Sequence, residues 1–575
     1  MFLTLFAAVN LLSIQNLSVG FSQKDSVHEA VSGLNLDLQE AEILGLVGES
    51  GSGKSVTAMS ITRLLASNAK YHNGKIRYRH NGNLVNLLEL KEEEIRHFRG
   101  RIISIIFQEP LSALNPLLTC GYQVAEALLT HKLCTKADVK EKVCYWLSKV
   151  GISEPDRIYK SYPHQLSGGQ LQRVLIALAL CCNPKIVIAD EPTTALDVSI
   201  QKKILDLLLE LKKEFNLSII FISHDLGVIQ YLCDKVIVLR NGKKLEEGTT
   251  KEIFSNPKNV YTKGLLYSRP SLHTKLRKLP TVQDFELNES YSSWKDDTNI
   301  INSTEQLRKN EILSQSNKLL EVKNLSIEYV TAKNWLGRPS SILTAVNNVS
   351  FSIYPSEVLG LVGESGSGKS SLGKAIVGLT EIKSGNIFYN NIDLTTLSKT
   401  NWRPLRKEIQ IIFQDPYSSL NPRKSILSSL TEPMLVHNMY KNSKDRKERA
   451  IELLELVGLQ AEHLERYPHQ FSGGQRQRIC VARALSLNPK FIVCDESVSA
   501  LDVSIQAQVL NLLIELKNKL GLSLLFITHD LSVVNFIADR VIVLKNGSIV
   551  EEGLPYQIIQ TPKSEYTKGL IEAVV

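Results

Sequence analysis

The sequence predicts an α/β protein that contains two copies of one domain. Runs of consecutive apolar residues such as "EILGLV", "KIVIAD" and "LSIIFIS" alternate with stretches of helical periodicity. This alternation is typical of a parallel sheet covered by helices on both faces. The phrase "GLVGESGSGKS" occurs at 45–55 and again at 360–370. Because later landmarks also return in the same order, the chain is a tandem duplication.

The landmarks also define the domain boundaries. The two copies are offset by 315 positions at the lysines Lys54 and Lys369, but by 305 at the aspartates Asp190 and Asp495. The first copy therefore has a longer segment after its loop, around "NAKYHNGKIRYRHNGNLVN". We predict a first domain at 11–270, a second at 318–575 and a polar linker at 271–317. The linker has no sustained apolar periodicity, so we expect part of it to be disordered.

Bulk properties exclude several classes of protein. The 43% hydrophobic and 22% charged residues are ordinary for a globular chain of 575 residues. A net charge of +8 is too modest to indicate nucleic acid. The first apolar run, "MFLTLFAAVNLL", is shorter than the roughly 20 residues that span a bilayer. No basic residue precedes Lys24, so we expect an overhang before the first strand rather than a signal peptide. The eight cysteines lack metal-ligand spacing and are expected to be reduced.

A phosphate-binding loop is the strongest motif in each copy. "GESGSGKS" fits GxxxxGK[ST], with an apolar strand before it and a helix after it. The loop backbone turns its amides towards phosphates, the lysine contacts the β and γ oxygens, and the last serine offers a hydroxyl to Mg²⁺. We therefore predict that a nucleotide binds here with Mg²⁺, although the motif alone indicates only a P-loop NTPase. The predicted nucleotide-binding residues are Gly48, Glu49, Ser50, Gly51, Ser52, Gly53, Lys54 and Ser55, and Gly363, Glu364, Ser365, Gly366, Ser367, Gly368, Lys369 and Ser370.

Two acidic residues end a buried strand in each copy, in "IVIADE" and "FIVCDE". Placing adjacent carboxylates at a buried strand end is costly unless a cation or a proton transfer requires them. Asp190 and Asp495 are the candidate metal ligands, together with Ser55 and Ser370. Glu191 and Glu496 are the candidate bases for the attacking water. A plain strand end remains the alternative for this pair when it is taken without the loop upstream.

Histidine and glutamine follow other apolar strands. His224 and His529 come after "LSIIFIS" and "LSLLFIT". A lone histidine at a strand end is more often structural, but the paired occurrence at the carboxyl edge of the sheet favours a contact to the γ-phosphate. We assign both as candidate catalytic residues. Gln108 and Gln414 enter proline-punctuated turns, which suits a mobile connector that contacts nucleotide and metal. A capped loop is the alternative for the glutamines.

The phrases "HQLSGGQLQRV" and "HQFSGGQRQRI" each begin a helix. The serine can cap the helix, and the glycines allow another group to approach the bare amides. This arrangement describes a second anion site, although the chemistry alone favours the alternative, a turn cap without a ligand. The candidate residues are Ser167, Gly168, Gly169 and Gln170, and Ser472, Gly473, Gly474 and Gln475.

The ordered set of loop, glutamine, SGGQ, Asp-Glu pair and histidine resembles the nucleotide-binding domain of ABC transporters in both halves. The resemblance implies a mostly parallel core sheet, an antiparallel subdomain and a helical signature subdomain in each half. In that family two domains face head to tail, and SGGQ of one contacts ATP held by the other. Lys54 would then work with Ser472 and Gly474, and Lys369 with Ser167 and Gly169. The resemblance also implies that Phe21 and Tyr329 stack on adenine, which is worth about 1–3 kcal/mol per base.

The tails "NPKNVYTKGLL" and "TPKSEYTKGL" resemble those of the dipeptide/oligopeptide importers, most closely the ATP-binding protein of microcin C and oligopeptide uptake systems. This implies two membrane permeases, an indirect periplasmic binding-protein partner and no nucleic acid. It also implies a peripheral position on the cytoplasmic face of the bacterial inner membrane. Phe471 and Ser497 depart from the usual leucine and proline, but neither removes a catalytic group. A twin-cassette translation factor is the alternative, since it also carries two such domains; a DNA-repair ATPase is disfavoured because its zinc insertions are absent.

Overall fold

A computed structural model gives the fold of the chain. It describes residues 10–22, 27–194, 196–287, 298–333, 339–499 and 501–574. The first apolar residues, predicted to form an overhang, and the middle of the predicted linker at 288–297 lie outside these ranges. The chain divides into two compact units. Unit 1 contains the residues up to Leu196 and Ile200–Leu266, and unit 2 contains Tyr267–Val574 with Asp197–Ser199.

Unit 1 alternates strands and helices along its length. Its strands are β1 (Asn10–Ser22), β2 (Val27–Gln39), β3 (Ile43–Val47), β4 (Ala69–His80), β5 (Asn83–Asn86), β6 (Ile103–Ile106), β7 (Ile186–Asp190), β8 (Ser218–Ile222), β9 (Lys235–Arg240) and β10 (Lys243–Thr249). Its helices are α1 (Lys54–Ile61), α2 (Glu92–Phe98), α3 (Pro110–Ala113), α4 (Cys120–Thr130), α5 (Val139–Lys149), α6 (Pro155–Lys160), α7 (Gly168–Leu180), α8 (Val198–Phe215), α9 (Leu226–Leu232), α10 (Thr250–Ser255) and α11 (Val260–Tyr267).

Two sheets organise unit 1. The core sheet has the order β10-β9-β3-β8-β7-β6 and is parallel except for β10, which runs antiparallel to β9. Strands β3, β7 and β8 are buried at every position, because helices cover both faces of a parallel sheet. A second, antiparallel sheet has the order β2-β1-β4-β5. The carboxyl ends of the parallel strands meet at one edge, where ligands of such sheets bind.

Unit 2 repeats this plan after two additional helices. Its helices are α12 (Val282–Glu286), α13 (Ser303–Ser314), α14 (Lys369–Ile376), α15 (Lys399–Glu408), α16 (Pro416–Ser419), α17 (Ile426–Val436), α18 (Ser443–Leu456), α19 (Gly473–Leu485), α20 (Val503–Leu520), α21 (Leu531–Ile537), α22 (Pro555–Gln560) and α23 (Glu565–Glu572). Its strands are β11 (Leu320–Lys333), β12 (Pro339–Ile353), β13 (Val358–Val362), β14 (Ser384–Tyr389), β15 (Ile392–Asp393), β16 (Ile409–Ile412), β17 (Phe491–Asp495), β18 (Ser523–Thr528), β19 (Arg540–Lys545) and β20 (Ser548–Gly553).

The sheets of unit 2 have the same order as those of unit 1. The antiparallel sheet is β12-β11-β14-β15, and the core sheet is β16-β17-β18-β13-β19-β20. A separate group of helices, α17 to α19, packs through buried Leu430, Leu453 and Ile479 into the core beneath α20. The predicted α/β class is therefore confirmed, including its antiparallel and helical subdomains.

The described part of the predicted linker is folded onto unit 2. Leu279 is 1% exposed and joins the apolar core of that unit. Its backbone N–H donates to Asn511 Oδ1 at 2.9 Å, and its carbonyl accepts from Asn511 Nδ2 at 2.8 Å. Phe285 is also buried and stacks on Tyr267, with ring centroids 5.7 Å apart. The segment thus contributes apolar anchors to unit 2, although its sequence is mostly polar.

Within the described ranges, every helix is too short or too polar to cross a bilayer.

Candidate functional site

The loop between β3 and α1 surrounds the ammonium group of Lys54. Lys54 Nζ donates to the carbonyls of Gly48 at 2.7 Å and Glu49 at 2.8 Å. At Gly51 φ is +79°, and a Cβ added there would meet no atom within 4 Å. The space outside the loop is therefore open, while the first turn of α1 supplies N–H groups that lack intrahelical acceptors. This cradle fits the phosphates of a nucleotide.

The loop between β13 and α14 has the same geometry in unit 2. Lys369 Nζ donates to the carbonyls of Gly363 at 2.7 Å and Glu364 at 2.8 Å. Gly366 has φ of +75° and open space where a Cβ would lie. Burial lowers the pKa of Lys369, which is 4% exposed. An anion in the loop would offset the cost of keeping this ammonium charged.

A tyrosine from the tail of each unit holds the loop backbone. The Tyr261 hydroxyl accepts from Glu49 N–H at 3.2 Å, and the Tyr566 hydroxyl accepts from Glu364 N–H at 3.1 Å. The Arg240 guanidinium lies 4.6 Å from the centroid of the Tyr261 ring. Sequence reasoning used the repeated "YTKGL" phrase only to recognise a tail. It missed this role because the contact joins residues about 200 positions apart, although the repeated tyrosine was a signal.

A serine and an aspartate meet beside each loop. Ser55 Oγ donates to Asp190 Oδ1 at 3.1 Å, and Ser370 Oγ donates to Asp495 Oδ1 at 2.7 Å. Burial raises the pKa of both aspartates, and the serine hydrogen bonds only partly oppose this effect. A positive ion would favour the charged carboxylates. The hydroxyl and carboxylate oxygens are also the ligand types that Mg²⁺ prefers, so the predicted residues fit that ion.

Three donors converge on the carboxylate of Glu191 in unit 1. Gln108 Nε2, Thr194 Oγ1 and His224 Nδ1 each lie 3.0 Å from Glu191 Oε2. Burial would raise the pKa of Glu191, but the hydrogen bond and charge of His224, and then the Thr194 hydrogen bond, lower it below its ordinary value. The glutamate is therefore ionised at neutral pH, as a general base must be. Its φ of +47° is strained for a residue other than glycine, as at many functional positions.

The corresponding carboxylate in unit 2 has a looser set of partners. Gln414 Nε2 donates to Glu496 Oε2 at 2.8 Å, whereas His529 Nδ1 lies 3.7 Å from Oε1. Ser499 donates to the backbone carbonyl of Glu496 at 2.9 Å instead of to the carboxylate. Burial would lower the pKa of His529, but its contact with Glu496 raises it. Burial alone would raise the pKa of Glu496, but His529 and Lys369 lower it, and the pKa of this carboxyl lies below its ordinary value.

Thr194 is a site residue that sequence reasoning missed. It lies three positions after Glu191, as Ser499 lies three positions after Glu496. A hydroxyl at the same place in both copies was a signal, but many turn residues carry hydroxyls. The structure shows that the threonine hydroxyl contacts the candidate base and the serine hydroxyl contacts backbone.

The SGGQ segments form exposed helix starts with reciprocal caps. Ser167 Oγ accepts from Gln170 N–H at 3.4 Å, and Gln170 Oε1 accepts from Ser167 N–H at 3.1 Å. Ser472 and Gln475 repeat this capping box at 3.3 and 3.1 Å. Ser167 and Ser472 are both exposed, so another group has access to them. The contact with ATP held by the opposite half stays a prediction.

The two candidate adenine-stacking residues lie at the antiparallel sheets. Phe21 is partly exposed near the end of β1, opposite His28 in β2 and Ala69 in β4. Tyr329 is 37% exposed on β11, and its hydroxyl donates to Ser371 Oγ at 3.2 Å, one residue beyond the phosphate loop. Stacking of these rings on a base stays a prediction.

These features define the class of protein to which the chain belongs. A lysine-filled phosphate cradle lies beside a serine–aspartate pair and an ionised glutamate, and the whole arrangement occurs twice on one fold. It is the machinery of an ATP-binding cassette. The profile of the family described as "ABC transporter" matches residues 31–194 and 346–499, and the chain belongs to that family. A second profile, "Oligopeptide/dipeptide transporter, C-terminal region", matches residues 245–290.

Curated proteins resemble the chain over almost its whole length, and solved structures resemble part of it. It is 43% identical over 569 residues to the "Glutathione import ATP-binding protein GsiA" of Shigella boydii serotype 4. The protein of the same name from Escherichia coli K12 gives the same identity, and each alignment covers 99% of this chain and 90% of the relative. Among solved structures, a dimeric ATP-binding cassette, MJ0796, bound to ADP and Pi is 29% identical over 41% of this chain and 98% of its own, with a TM-score of 0.38.

These findings confirm the main predictions from the sequence. The chain is an ABC ATPase with two nucleotide-binding cassettes and an importer-type tail. The curated relatives it matches are named as ATP-binding proteins of an importer. The finer resemblance to microcin C uptake stays a prediction.

Proposed function

We propose that the chain powers import of small peptide-like compounds through two composite ATP sites. In each site, one cassette supplies the phosphate loop and the base, and the SGGQ helix start of the other cassette closes on the nucleotide. The single observation that carries the proposal is the carboxylate of Glu191, which three side chains hold in place next to the phosphate cradle. Such positioning prepares a water molecule for attack on the γ-phosphate.

Different residues around each loop bind the phosphates, accept a proton from the attacking water and hold Mg²⁺. Lys54 and Lys369 bind the phosphate oxygens, and Glu191 and Glu496 accept a proton from the attacking water. Ser55 with Asp190, and Ser370 with Asp495, would hold Mg²⁺, with Gln108 and Gln414 as further candidate contacts. The metal would neutralise charge that develops on the phosphates.

We propose that the histidines orient the bases and contact the γ-phosphate. His224 lies 3.0 Å from the carboxylate of Glu191, and His529 lies 3.7 Å from that of Glu496. Each histidine follows a core strand at the edge where the nucleotide is expected. We propose that both sites hydrolyse ATP, because both retain the lysine, the glutamate and the histidine.

We propose that the cargo is a short peptide or a compound built like one. The curated relatives are named for import of glutathione, itself a tripeptide, and the tail matches the oligopeptide/dipeptide transporter description. The chain would lie against two membrane permeases at the cytoplasmic face of the inner membrane, with a periplasmic binding protein delivering the cargo. The loops that begin at Gln108 and Gln414 would contact the permeases.

The ATPase test replaces each glutamate separately by glutamine. Glu191→Gln and Glu496→Gln keep the size of the side chain but cannot accept a proton, so each should lower ATP turnover at least about 100-fold at its own site, within the range of general base catalysis. Phosphate release by the purified chain, together with uptake of labelled glutathione and dipeptides in cells, measures the effect.

Glu210→Gln and Glu515→Gln provide matched controls. These glutamates are exposed at corresponding positions of α8 and α20, away from the loops. The controls should keep wild-type turnover. If Glu191→Gln or Glu496→Gln leaves turnover unchanged, the corresponding site does not hydrolyse ATP by this route. Purification with ribosomes instead of permeases would contradict the transport proposal.

A further inference from the structure

A cavity of about 230 Å³ lies within unit 2, between the described part of segment 267–317 and the helices of the second cassette. Its wall includes Lys275 before α12, Gln306 and Lys309 of α13, Lys517 of α20, and Asp539 just before β19. None of these residues belongs to the nucleotide machinery described above. The cavity is therefore separate from the phosphate loop of the same unit.

Positive charge exceeds negative charge around this cavity. Asp539 pairs with Lys309, Nζ to Oδ1 at 2.6 Å, and also with Lys517, Nζ to Oδ2 at 3.4 Å. Lys275 adds a third ammonium, whereas Arg277 and Glu305 at the wall neutralise each other through a two-pronged ion pair. One buried carboxylate therefore faces three lysine amino groups, and an anion in the cavity would favour their charged form.

The buried lysines have few acceptors. Lys517 is 6% exposed, and its ammonium makes one long hydrogen bond, to Asp539. Lys275 is 7% exposed and donates to the carbonyls of Asn535 at 2.7 Å and Ala538 at 2.5 Å. Each ammonium has three N–H donors, so both retain donor capacity inside the protein. Burial also lowers the pKa of Lys275 to about 7, an effect that a nearby anion would oppose.

Gln306 adds an unsatisfied hydrogen-bond acceptor to the cavity wall. The residue is 9% exposed, and its Oε1 is buried without a hydrogen-bond partner. Buried amide oxygens are normally satisfied, because leaving one unpaired costs free energy. The same cavity wall therefore offers ammonium donors and one acceptor, and a complementary ligand needs anionic oxygens together with a hydrogen-bond donor.

Comparison with the first cassette shows how segment 267–317 changes the surroundings of a lysine–aspartate ion pair. Lys212 and Asp234 of unit 1 correspond to Lys517 and Asp539, and their charged atoms are 3.3 Å apart. The Asp234 side chain is 57% exposed, whereas that of Asp539 is 9% exposed. The same ion pair thus lies open to solvent in unit 1 and at a covered cavity in unit 2. The excess of positive charge and the unsatisfied Gln306 are found in unit 2, where segment 267–317 covers the ion pair.

We propose that this cavity binds a small oxyanion that also donates a hydrogen bond, of which monohydrogen phosphate is the simplest example. Lys517, Lys309 and Lys275 contact its anionic oxygens, and its O–H group donates to Gln306 Oε1. Because the ligand contacts both α13 and α20, it fastens segment 267–317 to the second cassette. This binding is independent of ATP hydrolysis and of the cargo.

The test compares phosphate with sulfate by calorimetric titration of the full chain. Saturating non-hydrolysable ATP analogue and Mg²⁺ block both phosphate loops. At pH 7.5 the two anions have similar size and charge, but sulfate has no proton to donate. We expect phosphate to bind at least about tenfold more tightly than sulfate, since a site built around a hydrogen bond rejects the analogue that lacks it.

Three variants identify the site. Lys517→Met and Lys309→Met should each weaken phosphate binding at least about tenfold, because each removes a charge from the cavity. Gln306→Leu should weaken phosphate but not sulfate and so abolish the preference. Lys212→Met removes the corresponding lysine of unit 1 and should leave phosphate affinity unchanged.

The proposal fails if the blocked wild-type chain binds no phosphate, or if Lys212→Met weakens binding as much as Lys517→Met does. It also fails if Gln306→Leu keeps the preference for phosphate. Lys309 is 48% exposed at its side chain, so Lys309→Met still tests the site if replacement of buried Lys517 prevents folding.

Discussion

The two candidate bases differ in how their charge is stabilised. Glu191 receives three side-chain contacts on a single oxygen, whereas Glu496 has its partners divided between two oxygens and a longer contact to histidine. A hydrogen bond to an ionised carboxylate favours that form and lowers its pKa. The side-chain hydroxyl that distinguishes the two sites most clearly is that of Thr194.

The Thr194 hydroxyl should set the acid side of the pH–rate profile. The base acts when ionised, so turnover falls as the pH drops through the pKa of Glu191. Thr194→Val removes one donor and should raise that pKa, so the acid limb should move to higher pH by about one to two units. This magnitude follows from about 1.5–3 kcal/mol for a hydrogen bond to a charged group and about 1.4 kcal/mol per pKa unit. Steady-state ATPase rates followed from neutral pH down through the ordinary pKa range of glutamate and below it measure the shift.

Ser499→Ala is the matched control for this change. Its hydroxyl donates to a backbone carbonyl, so its loss should leave the acid limb in place. Equal shifts in the two variants would mean that the Thr194 contact does not tune the base.

Sequence and structure agree best for residues whose role is local. The lysines, serines and glycines of the loops lie in one short phrase, so their chemistry could be read from spacing. Tyr261 and Thr194 could not be assigned in this way. Tyr261 contacts Glu49 only because α11 packs near the loop, and the Thr194 side chain reaches the carboxylate only through the turn after β7.

Among the elements, the signature helices α7 and α19 differ in how tightly their glycines pack. A Cβ added to Gly474 would lie 2.2 Å from Cγ2 of Ile505, whereas one on Gly169 would lie 3.0 Å from Cγ2 of Ile200. The first distance requires Ile505 to shift, and the second requires only a small adjustment of Ile200. The second glycine of SGGQ therefore has a packing role in addition to any contact with nucleotide.

Gly474→Ala should destabilise unit 2 by about 1–3 kcal/mol, the usual cost of overpacking a tight contact. Scanning calorimetry of the full chain should show a lower melting temperature. Ile505→Ala in the same chain should recover part of the loss, because it removes the atom that clashes.

Gly473→Ala tests whether replacing any glycine of this segment lowers the melting temperature, as expected for Gly474→Ala. A Cβ at Gly473 would meet no atom within 4 Å. Its melting temperature should stay near that of the wild type. If Gly473→Ala is as destabilising as Gly474→Ala, the packing against Ile505 is not the cause.

The core strands could be predicted well because their apolar runs are uninterrupted and bracketed by turns. The antiparallel sheets could be predicted only through the family resemblance. In β1 the pairing with β2 shifts register at several places, which interrupts the simple alternation that marks a strand in sequence.

At the scale of the whole molecule, segment 267–317 is the main feature that pattern reasoning did not reveal. Its composition is polar, but Leu279, Val282, Phe285 and Leu313 are buried. A few widely spaced apolar anchors give no helical or strand period, so the sequence resembles a solvated tether. The described part of the segment nevertheless belongs to the compact second unit.

A fragment that starts at Tyr267 should therefore be more stable than one that starts at Lys318. The shorter fragment loses buried Leu279, whose burial alone is worth about 1.5–3 kcal/mol, and its paired hydrogen bonds with Asn511. Thermal unfolding of fragments 267–575 and 318–575 measures the difference. A fragment from Ser303 serves as the control, since it restores α13 but lacks Leu279. Equal melting temperatures for the fragments from Tyr267 and Lys318 would contradict this role.

The tyrosine contacts to the phosphate loops have a consequence for synthesis of the chain. Tyr261 follows Glu49 by 212 residues, and Tyr566 follows Glu364 by 202. A ribosome makes each loop early but supplies its tyrosine only near the end of the cassette. Domains generally fold as units during synthesis, so each loop should gain its final backbone support late. While the last helix of a cassette is still inside the ribosome, the phosphate loop would lack its hydrogen bond to the tyrosine. Tight ATP binding would then begin only after the whole cassette has been synthesised and folded.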